Sequence, residues 1–403
     1  MNADADFFDV VIIGGSIAGN YLAYLLSELR LKILIIEEHS EIGLPFQCAG
    51  IISKKLGRLI NLPSKLVLNR VKIAKLVSPT GLAIKLSGDE EPYVINRIGL
   101  DRFFYDISRT KKNVTYILGE KFQSFNYLIE HERRRIVEVK TSSSVIKASI
   151  LVGCDGPVSL IAKSFNQSNN LLYASQIRVK ANFPENEAML YFHPYWKELF
   201  GWIVPEGKNF YRIGIGSKKN TAKALRMFTR QIGINPKNAI ERQGGLIPYG
   251  TMKKCAFDNV MLLGDSACQV KATTGGGIVM LLTAAKVAAT CIKKCFEQRE
   301  FSRKFIKKQY ERPTKSLIGH QLKIHYIIRK ILEVLTPNEF DLLFRLIKSN
   351  RIEKLISIYG DMDFPRELTF KVLRSFLFQK FLFKFSMKHP LLIIKIILIY
   401  IFR

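Results

Sequence analysis

The sequence predicts an α/β fold with a Rossmann-like dinucleotide-binding domain, an inserted antiparallel-sheet substrate domain and a helical C-terminal region. Two segments, near residues 9–37 and 260–289, each place a strand, glycines and a helix in succession. Alternating apolar residues between about 171 and 250 predict the inserted sheet. We therefore predict four parts: residues 1–170 and 251–300 form the dinucleotide-binding domain, 171–250 form the sheet, and 301–403 form the helical region.

The N-terminal segment has the order strand, glycine-rich turn, helix, strand that is typical of dinucleotide-binding βαβ units. An apolar strand at 9–13 precedes Gly14, which allows a tight turn, and Gly19 lets the helix pack close to the strand. Glu37 ends the second strand, 23 residues after Gly14, and is suitably placed to bind a ribose hydroxyl. Ser16 replaces the middle glycine of the usual pattern, but it is small enough to leave the backbone open to a pyrophosphate.

The second segment begins with a buried apolar strand at 260–263 and continues through a loop into three glycines and an apolar helix, about 278–289. A carboxylate at a strand end can accept hydrogen bonds from sugar-type hydroxyls. The N–H groups at a helix N-terminus can bind an anion or a polarised ring edge. The candidate binding residues of this segment are Gly264, Asp265, Gly275, Gly276, Gly277 and Ile278.

Two further residues between these segments are candidates for the same site. Arg97 lies where a strand turns into a helix, so it can reach a phosphate or an adenine edge; the alternative is a solvated surface arginine. Asp155 follows a short strand at 150–152 and precedes a glycine. Because Asp-Gly after a strand is a common turn, Asp155 indicates a site only in combination with the other motifs.

Composition indicates an anionic partner. The chain has 62 Lys and Arg against 34 Asp and Glu, a formal net charge of +28. The resulting positive electrostatic potential favours binding to nucleic acid, anionic lipid or acidic protein. Because the basic residues are scattered and no nucleic-acid module is evident, we expect an anionic membrane surface and no nucleic acid; a compositional bias toward Lys and Ile is the alternative. The six cysteines form no CxxC pair, so we expect neither a disulfide framework nor a metal site.

The C-terminal tail, residues 376–403, is apolar and aromatic but is interrupted by four lysines and by Pro390. Its last apolar run, 391–402, is too short to span a bilayer as a helix. Lysine stems that extend toward headgroups favour an interfacial anchor, with a core helix or a spanning segment as alternatives. Because the first strand begins directly after the N-terminal residues MNADADFF, we expect no signal peptide and a cytoplasmic protein peripherally attached to the membrane.

Together these motifs resemble the geranylgeranyl reductase family, in particular its archaeal digeranylgeranylglycerophospholipid reductases, over about residues 8–300. GGSIAG with Glu37, GLPFQCAG at 43–50 and GDSACQVKATTGGGI at 264–278 are similar to the family's flavin-binding segments. The Asp-Gly element resembles that of aromatic-hydroxylase (PHBH-like) flavin enzymes. FGWIVP at 200–205 is similar to the Tyr-x-Trp-x-Phe-Pro motif of the substrate cavity. Phe200 and Val204 replace the motif's Tyr and Phe, and Ala272 stands where proline is common, so the cavity is expected to accept a different chain.

The resemblance implies FAD as the cofactor and hydrogenation of the C=C bonds of geranylgeranyl chains in membrane lipids or their precursors. Cys48 is the candidate catalytic residue: it either donates a proton or lines the flavin, and a thiol's modest acidity favours lining. The implied FAD contacts are Gly19, Glu37, Cys48, Ala49, Gly50, Arg97, Asp265, Gly277 and Ile278, to which the motifs add Gly14, Ser16, Asp155, Gly264, Gly275 and Gly276. The candidate substrate wall consists of Phe192, Phe200, Trp202 and Pro205, which are equally suited to an ordinary core.

Two other functions remain as alternatives. The Asp-Gly element and the Trp-x-x-Pro segment are compatible with a flavin monooxygenase or halogenase that acts on an aromatic substrate. A membrane electron-transfer flavoprotein that reduces a quinone usually requires iron–sulfur cysteines, and none are suitably spaced. The electron donor stays open among ferredoxin, a reduced deazaflavin and NAD(P)H, because no separate nicotinamide-binding fold is evident.

Overall fold

The computed structural model describes residues 6–87, 91–129, 135–349 and 352–402. The strands, in chain order, are β1 Phe7–Ile13, β2 Ile33–Glu37, β3 Ile51–Ile52, β4 Val67–Arg70, β5 Ile73–Val77, β6 Ala83–Ser87, β7 Tyr93–Ile95, β8 Val114–Leu118, β9 Phe122–Ile129, β10 Arg135–Thr141, β11 Val145–Gly153, β12 Asn170–Lys180, β13 Glu187–Tyr191, β14 Gly201–Gly207, β15 Phe210–Ser217, β16 Glu241–Tyr249, β17 Ala256–Phe257 and β18 Val260–Leu262.

Most of the helices follow β18, in the C-terminal part of the chain. In chain order they are α1 Ile17–Leu26, α2 Leu56–Leu59, α3 Arg97–Ser108, α4 Leu160–Ser164, α5 Thr221–Gln231, α6 Ile278–Gln298, α7 Arg303–Ile306, α8 Arg312–Thr314, α9 His320–Leu332, α10 Pro337–Ser349, α11 Ile352–Tyr359, α12 Arg366–Leu373, α13 Phe376–Lys388 and α14 Pro390–Phe402. Two π-helical turns, Lys307–Glu311 and Lys315–Gly319, separate α7, α8 and α9.

The first sheet is the predicted dinucleotide-binding sheet, with strand order β17-β18-β11-β1-β2-β8. Strands β18, β11, β1, β2 and β8 run parallel, so their carboxyl ends meet at one edge of the sheet. Helices α1 and α6 pack against each other over this core, in which β1, β2 and β18 are almost entirely buried. This topology brings the two glycine-rich segments together, although they are far apart in the sequence.

The second sheet has seven strands in the order β16-β12-β15-β14-β13-β5-β6. Its strands β12 to β16 cover the segment from which the inserted sheet was predicted. The sheet also takes in β5 and β6, which precede that segment, and β13 pairs with β5 in parallel. The predicted antiparallel sheet is confirmed, because all strand pairs within 171–250 are antiparallel, and β5 and β6 extend it from an earlier part of the chain. A small third sheet, β3-β7-β4, lies beside the cysteine-containing loop.

The C-terminal region is helical, and α10 and α13 pack around a separate apolar cluster that includes Phe340, Phe344, Phe381 and Phe385. Helix α13 therefore buries one face, whereas Phe383 and Met387 on its other face are exposed. Among the described residues, no helix combines the length and the apolar character that a membrane crossing requires. Arg403, the last residue of the predicted tail, lies outside the described residues.

Candidate functional site

A cleft of about 700 Å³ lies where the two glycine-rich segments meet at the carboxyl edge of the first sheet. The cleft is large enough for part of a dinucleotide, and residues from both segments line it. The predicted binding residues that line the cleft are Gly14, Ser16, Glu37, Cys48, Arg97, Asp155, Asp265, Gly275, Gly277 and Ile278. Gly19, Ala49, Gly50, Gly264 and Gly276, which were also predicted to bind the cofactor, are not among the lining residues.

Gly14 and Gly19 allow the β1–α1 turn to pack against neighbouring backbone atoms at very short distances. Gly14 has a φ of +105°, and a Cβ atom there would lie 2.3 Å from the Cys154 carbonyl oxygen. A Cβ atom at Gly19 would lie 1.9 Å from the Gly14 carbonyl oxygen. Only glycine fits at these two positions, since both neighbours are backbone atoms. The role of Gly19 is thus to hold α1 against the turn, which places the N-terminus of α1 at the cleft.

Glu37 closes the other side of the same turn. Its Oε2 atom accepts a hydrogen bond of 2.6 Å from the Gly15 backbone N–H. Its Oε1 atom accepts a hydrogen bond of 3.0 Å from the His39 backbone N–H and contacts the His39 ring Nδ1 at 2.5 Å. Because a carboxylate has lone pairs for more than one donor, Glu37 can still accept from a ligand hydroxyl, and its role at a ribose stays a prediction.

Asp265 and the α6 N-terminus form the opposite wall. The Asp265 carboxylate accepts no hydrogen bond from any described residue, and its Oδ1 lies 3.7 Å from the Cβ position of Gly277. Burial raises the pKa of Asp265 to about 6, and the Arg97 charge opposes this shift. Gly277 precedes the first turn of α6, a helix of 21 residues, so unpaired N–H groups face the cleft. This wall offers acceptors and donors to a ligand.

Arg97 is held in place by Asp101, one turn further along α3. The Arg97 Nη1 atom donates to Asp101 Oδ1 over 2.9 Å, and both side chains are largely buried. Burial acts to lower the pKa of Arg97, but Asp101 and Cys48 outweigh it and the pKa is raised. The alternative of a solvated surface arginine is therefore wrong. Arg97 presents a fixed positive charge to the cleft between Cys48 and Asp265.

The hydrogen bonding of Asp155 indicates whether the cleft fits a polar cofactor. Its Oδ2 atom accepts a hydrogen bond of 3.3 Å from the Ile161 N–H, whereas its buried Oδ1 atom has no partner among the described residues. Burial raises the pKa of Asp155. A buried carboxylate oxygen without a donor is costly. Together with the glycine cradle and the Asp265 carboxylate, which accepts no hydrogen bond from a described residue, it indicates that these residues fit a ligand rich in hydroxyl and N–H donors, such as FAD.

The Cys48 loop is positioned from the second sheet by two residues that sequence inspection missed. Gln176 Nε2 donates to the Cys48 carbonyl over 3.3 Å, and Arg212 Nη1 donates to the Ala49 carbonyl over 3.0 Å. A Cβ atom at Gly50 would lie 2.0 Å from Arg212 Nη1. Ala49 and Gly50 therefore face the buried Arg212 guanidinium, while Cys48 lines the cleft. An arginine within the apolar β15 strand was the only sequence signal for this support.

A second group of missed residues fixes the loop before the three glycines from the C-terminal helices. The Lys271 ammonium contacts Asp363 Oδ1 at 2.5 Å and donates to the Met362 carbonyl over 3.1 Å. The buried Arg329 guanidinium donates to the carbonyls of Leu199, Ala272 and Thr273. Arg329 and Asp363 lie about 60–90 residues after this loop in the sequence, so sequence spacing gave no indication of their contacts.

His325 adds a neutral contact to this group. Burial lowers its pKa to about 3, so the ring is neutral at physiological pH. Its Nε2 atom lies 3.2 Å from the Asp363 carbonyl oxygen, which can only accept, so the proton resides on Nε2. Its Nδ1 atom, 2.5 Å from the Thr273 hydroxyl, is then the acceptor. These directional hydrogen bonds fix the loop before the three glycines to the C-terminal helices.

The four candidate substrate residues lie outside the cleft lining. Trp202 Nε1 donates to Gln176 Oε1 over 2.8 Å, which links it to the Cys48 loop. The Phe200 ring lies 6.4 Å from the Trp202 ring and 6.1 Å from the Phe192 ring. Pro205 is buried in β14. The aromatic residues form a packed row that leads away from Cys48, and their role as a substrate wall stays a prediction.

Comparisons with known proteins agree with this geometry. A family model described as an NAD(P)-binding Rossmann-like domain matches residues 12–50. An uncharacterized protein of Methanocaldococcus jannaschii is 29% identical over 383 residues, which cover 91% of this chain and 95% of the relative. Digeranylgeranylglycerophospholipid reductase 1 of Methanococcoides burtonii is 28% identical over 376 residues, 87% of this chain and 90% of the relative.

A solved structure also shares the fold. A geranylgeranyl bacteriochlorophyll reductase-like protein from Thermoplasma acidophilum superposes with a TM-score of 0.81 at 18% identity, over 96% of this chain and 99% of that chain. The predicted fold class and the predicted family resemblance are confirmed by these matches. The prediction of individual site residues rests on the geometry of the cleft alone.

Proposed function

We propose that this chain is an FAD-dependent oxidoreductase that saturates C=C bonds in the geranylgeranyl chains of membrane lipids or their precursors. The observation that carries the proposal is the cleft, where Glu37, Asp265 and the orphaned Asp155 oxygen surround a glycine cradle. Relatives named digeranylgeranylglycerophospholipid reductase, 24–28% identical over most of the chain, support the reductase over a monooxygenase or an electron-transfer flavoprotein.

Each wall of the cleft has a part in holding FAD. Glu37 would bind the ribose hydroxyls, and the N-terminus of α1 would hold the pyrophosphate. Asp265 would accept hydrogen bonds from the cofactor's hydroxyl groups, and the N–H groups at the N-terminus of α6 would donate to its polar atoms. Arg97 compensates the phosphate charge, for which a buried guanidinium fixed by Asp101 is well suited.

When it is bound, reduced FAD supplies the hydride equivalent that an alkene needs, and a proton completes the saturated C–C bond. The remaining tasks belong to the chain: an apolar wall must orient an unpolarised substrate, and water must be excluded from the reacting carbons. Phe192, Phe200 and Trp202 can supply such a wall only if their packed row separates to admit a prenyl chain. Ferredoxin, a reduced deazaflavin and NAD(P)H are the candidate electron donors.

An anaerobic reduction assay tests the proposed function. The purified protein is loaded with FAD, reduced with dithionite and mixed with a digeranylgeranylated glycerophospholipid. We expect the lipid to gain the mass of two hydrogens for each bond reduced. If the lipid gains no mass, and a parallel aerobic assay shows oxygen consumption that a small aromatic compound stimulates, the protein is a monooxygenase and the proposal is overturned.

The Cys48→Ala variant separates the two roles considered for Cys48. We expect it to retain FAD and to lose less than about tenfold in turnover, because a thiol is a modest acid for an unactivated alkene. Flavin absorbance and the mass assay measure the two quantities. A loss of turnover by several orders of magnitude, with FAD content unchanged, would assign the proton to Cys48.

We further propose that α13 and α14 attach the protein to an anionic membrane surface. Phe376, Phe383, Met387, Leu391 and Ile394 are exposed along these two helices. The exposed lysines of the same helices, together with the net charge of +28, complement anionic headgroups. The buried rings of Phe381 and Phe385 hold α13 on the protein, so the exposed face remains available for lipid.

Replacing Phe383 and Leu391 with serine tests the attachment. Their side chains are 68% and 74% exposed, so the change should leave the fold unaffected. We expect about tenfold or greater loss of affinity for anionic vesicles, because two large side chains no longer enter the interface. Vesicle sedimentation measures the effect. Ile129→Ser, at an equally exposed position on β9, is the control, and equal vesicle binding by all three proteins would refute the attachment.

A further inference from the structure

A second cavity of about 470 Å³ lies between the second sheet and the C-terminal helices, away from the dinucleotide cleft. Its apolar side is formed by rings such as Phe192 and Phe340, which lie 5.2 Å apart. Its polar side contains two histidines, a lysine and a glutamate, contributed by three separate parts of the chain. These polar lining residues are His193, Lys197, Glu333 and His389. A cavity with this division fits an amphipathic ligand.

Several polar atoms of the cavity lining have unused hydrogen-bonding capacity. The Nε2 atom of His389 and the Oε1 atom of Glu333 are buried and have no partner among the residues that the structure describes. The Nδ1 atom of His193 accepts a hydrogen bond of 3.0 Å from the Tyr195 N–H. Because burial lowers the pKa of His193, its ring is neutral and carries its proton on Nε2, where it can donate.

The charges around the cavity favour an anion. Lys197 lies in its lining, and Lys330 donates to Glu333 Oε2 over 2.7 Å. Burial lowers the pKa of Lys330 to about 8, with Lys218 also lowering it, and raises that of Glu333 to about 7. The carboxyl group can therefore hold a proton near neutral pH and act as a donor. Lys197 is the one lysine among the described lining residues, and Glu333, the one carboxyl group among them, is easily neutralised.

The position of the cavity connects the membrane-facing helices with the Cys48 loop. His389 lies between α13 and α14, and its neighbours Met387 and Leu391 are exposed. From Phe192, on the cavity wall, ring contacts lead through Phe200 to Trp202. Trp202 in turn is bonded to Gln176, which holds the Cys48 carbonyl. A prenyl chain that displaced these packed rings would run from the cavity beside α13 and α14 toward the Cys48 loop.

We propose that this cavity binds the phosphate group of a phospholipid, with His193, His389 and Lys197 as donors and the aromatic row receiving the attached chains. The proposal rests on the proposed function, since it assigns the headgroup of the same lipid substrate. A phosphate has several strong acceptor oxygens, which match donors that two separate parts of the chain contribute to one cavity lining. The shared chemistry is that of a phosphate monoester or diester, and the lipid is distinguished from the free anion by experiment.

Titration of the FAD-loaded protein, monitored by proton–nitrogen NMR of the histidine rings, tests this site without turnover. The probes are a short-chain phosphatidate, inorganic phosphate, and the matching diacylglycerol without phosphate. We expect the phosphatidate to bind most tightly and the ring resonances of His193 and His389 to shift on binding. Lys197→Gln and His389→Gln should each weaken phosphatidate binding by about tenfold. Lys237→Gln removes the same charge from an exposed position outside the cavity and should have no effect.

The outcomes are distinct. Equal binding of inorganic phosphate, with the same dependence on Lys197 and His389, would support the phosphate site and identify the free anion as its ligand. Unshifted histidine resonances in the unsubstituted protein, or equal losses in Lys197→Gln and Lys237→Gln, would overturn the proposal. If the protein binds the phosphatidate but fails to reduce prenyl lipid, the proposed function is refuted and the phosphate site is still supported.

Discussion

Gly19→Ala is expected to abolish FAD binding and to destabilise the protein by about 3 kcal/mol or more. The added Cβ atom would lie 1.9 Å from the Gly14 carbonyl oxygen and 3.2 Å from the Ile12 side chain. The first of these neighbours is backbone, so helix α1 must move away from the β1 turn. Because the N-terminus of α1 is the site predicted to receive the pyrophosphate, the shift removes the binding geometry and the packing together.

The measurements are the flavin absorbance of protein reconstituted with FAD and the midpoint of thermal unfolding. Gly57→Ala is the matched control, because Gly57 also lies in a helix but a Cβ atom there would meet no atom within 4 Å. We expect that change to be neutral or to stabilise by about 0.5–1 kcal/mol. If Gly19→Ala retained FAD as well as Gly57→Ala, the dinucleotide interpretation of the first turn would be wrong.

Lys271→Met is expected to lower the free energy of unfolding by about 3–5 kcal/mol, because it leaves the Asp363 carboxylate buried without its counter-charge. The side chains of Lys271 and Asp363 are only 6% and 1% exposed. We expect FAD to be lost in the same variant. The Lys271 backbone N–H donates to the Gly276 carbonyl, and the Lys271 carbonyl accepts from the Gly275 N–H, so the glycine loop depends on where Lys271 is fixed.

Chemical unfolding and FAD titration measure these effects. Lys286→Met, at an exposed position in the middle of α6, should change stability by less than about 0.5 kcal/mol. Adding Asp363→Asn to Lys271→Met should restore part of the loss, since the uncompensated charge is removed, with a coupling of at least about 1 kcal/mol. Additive losses in the double variant would show that the ion pair does not fix the loop.

The sequence was sufficient for features that depend on local order along the chain. The strand, the glycines and the helix of each binding segment follow one another directly, so their hydrophobic periodicity and glycine positions predict the elements that the structure places at Phe7–Ile13, Ile17–Leu26 and Ile278–Gln298. The predicted C-terminal end of α6, near residue 289, was too early, because charged and buried residues alternate beyond it. The buried Cys291 and Cys295 continue its core face.

Contacts between distant parts of the chain could not be predicted in the same way. Arg212 and Gln176 reach the Cys48 loop across more than 100 residues of chain, and Asp363 reaches Lys271 across 92. Neither a charged residue in a strand nor an aspartate after a helix indicates its partner, because partners are selected by three-dimensional proximity. The same reason explains why β5 and β6 were not assigned to the second sheet.

The sequence by itself predicted the fold class and, through the family resemblance, the cofactor. It also predicted residues that line both sides of the cleft, because glycine and carboxylate requirements are local. Tertiary structure alone decided which of those residues line the cleft and which support it from behind. It also showed that Phe192 belongs to a second cavity, together with His389 from the end of α13. That grouping depends on how the C-terminal helices pack against the second sheet, and packing of distant surfaces has no signature in local sequence order.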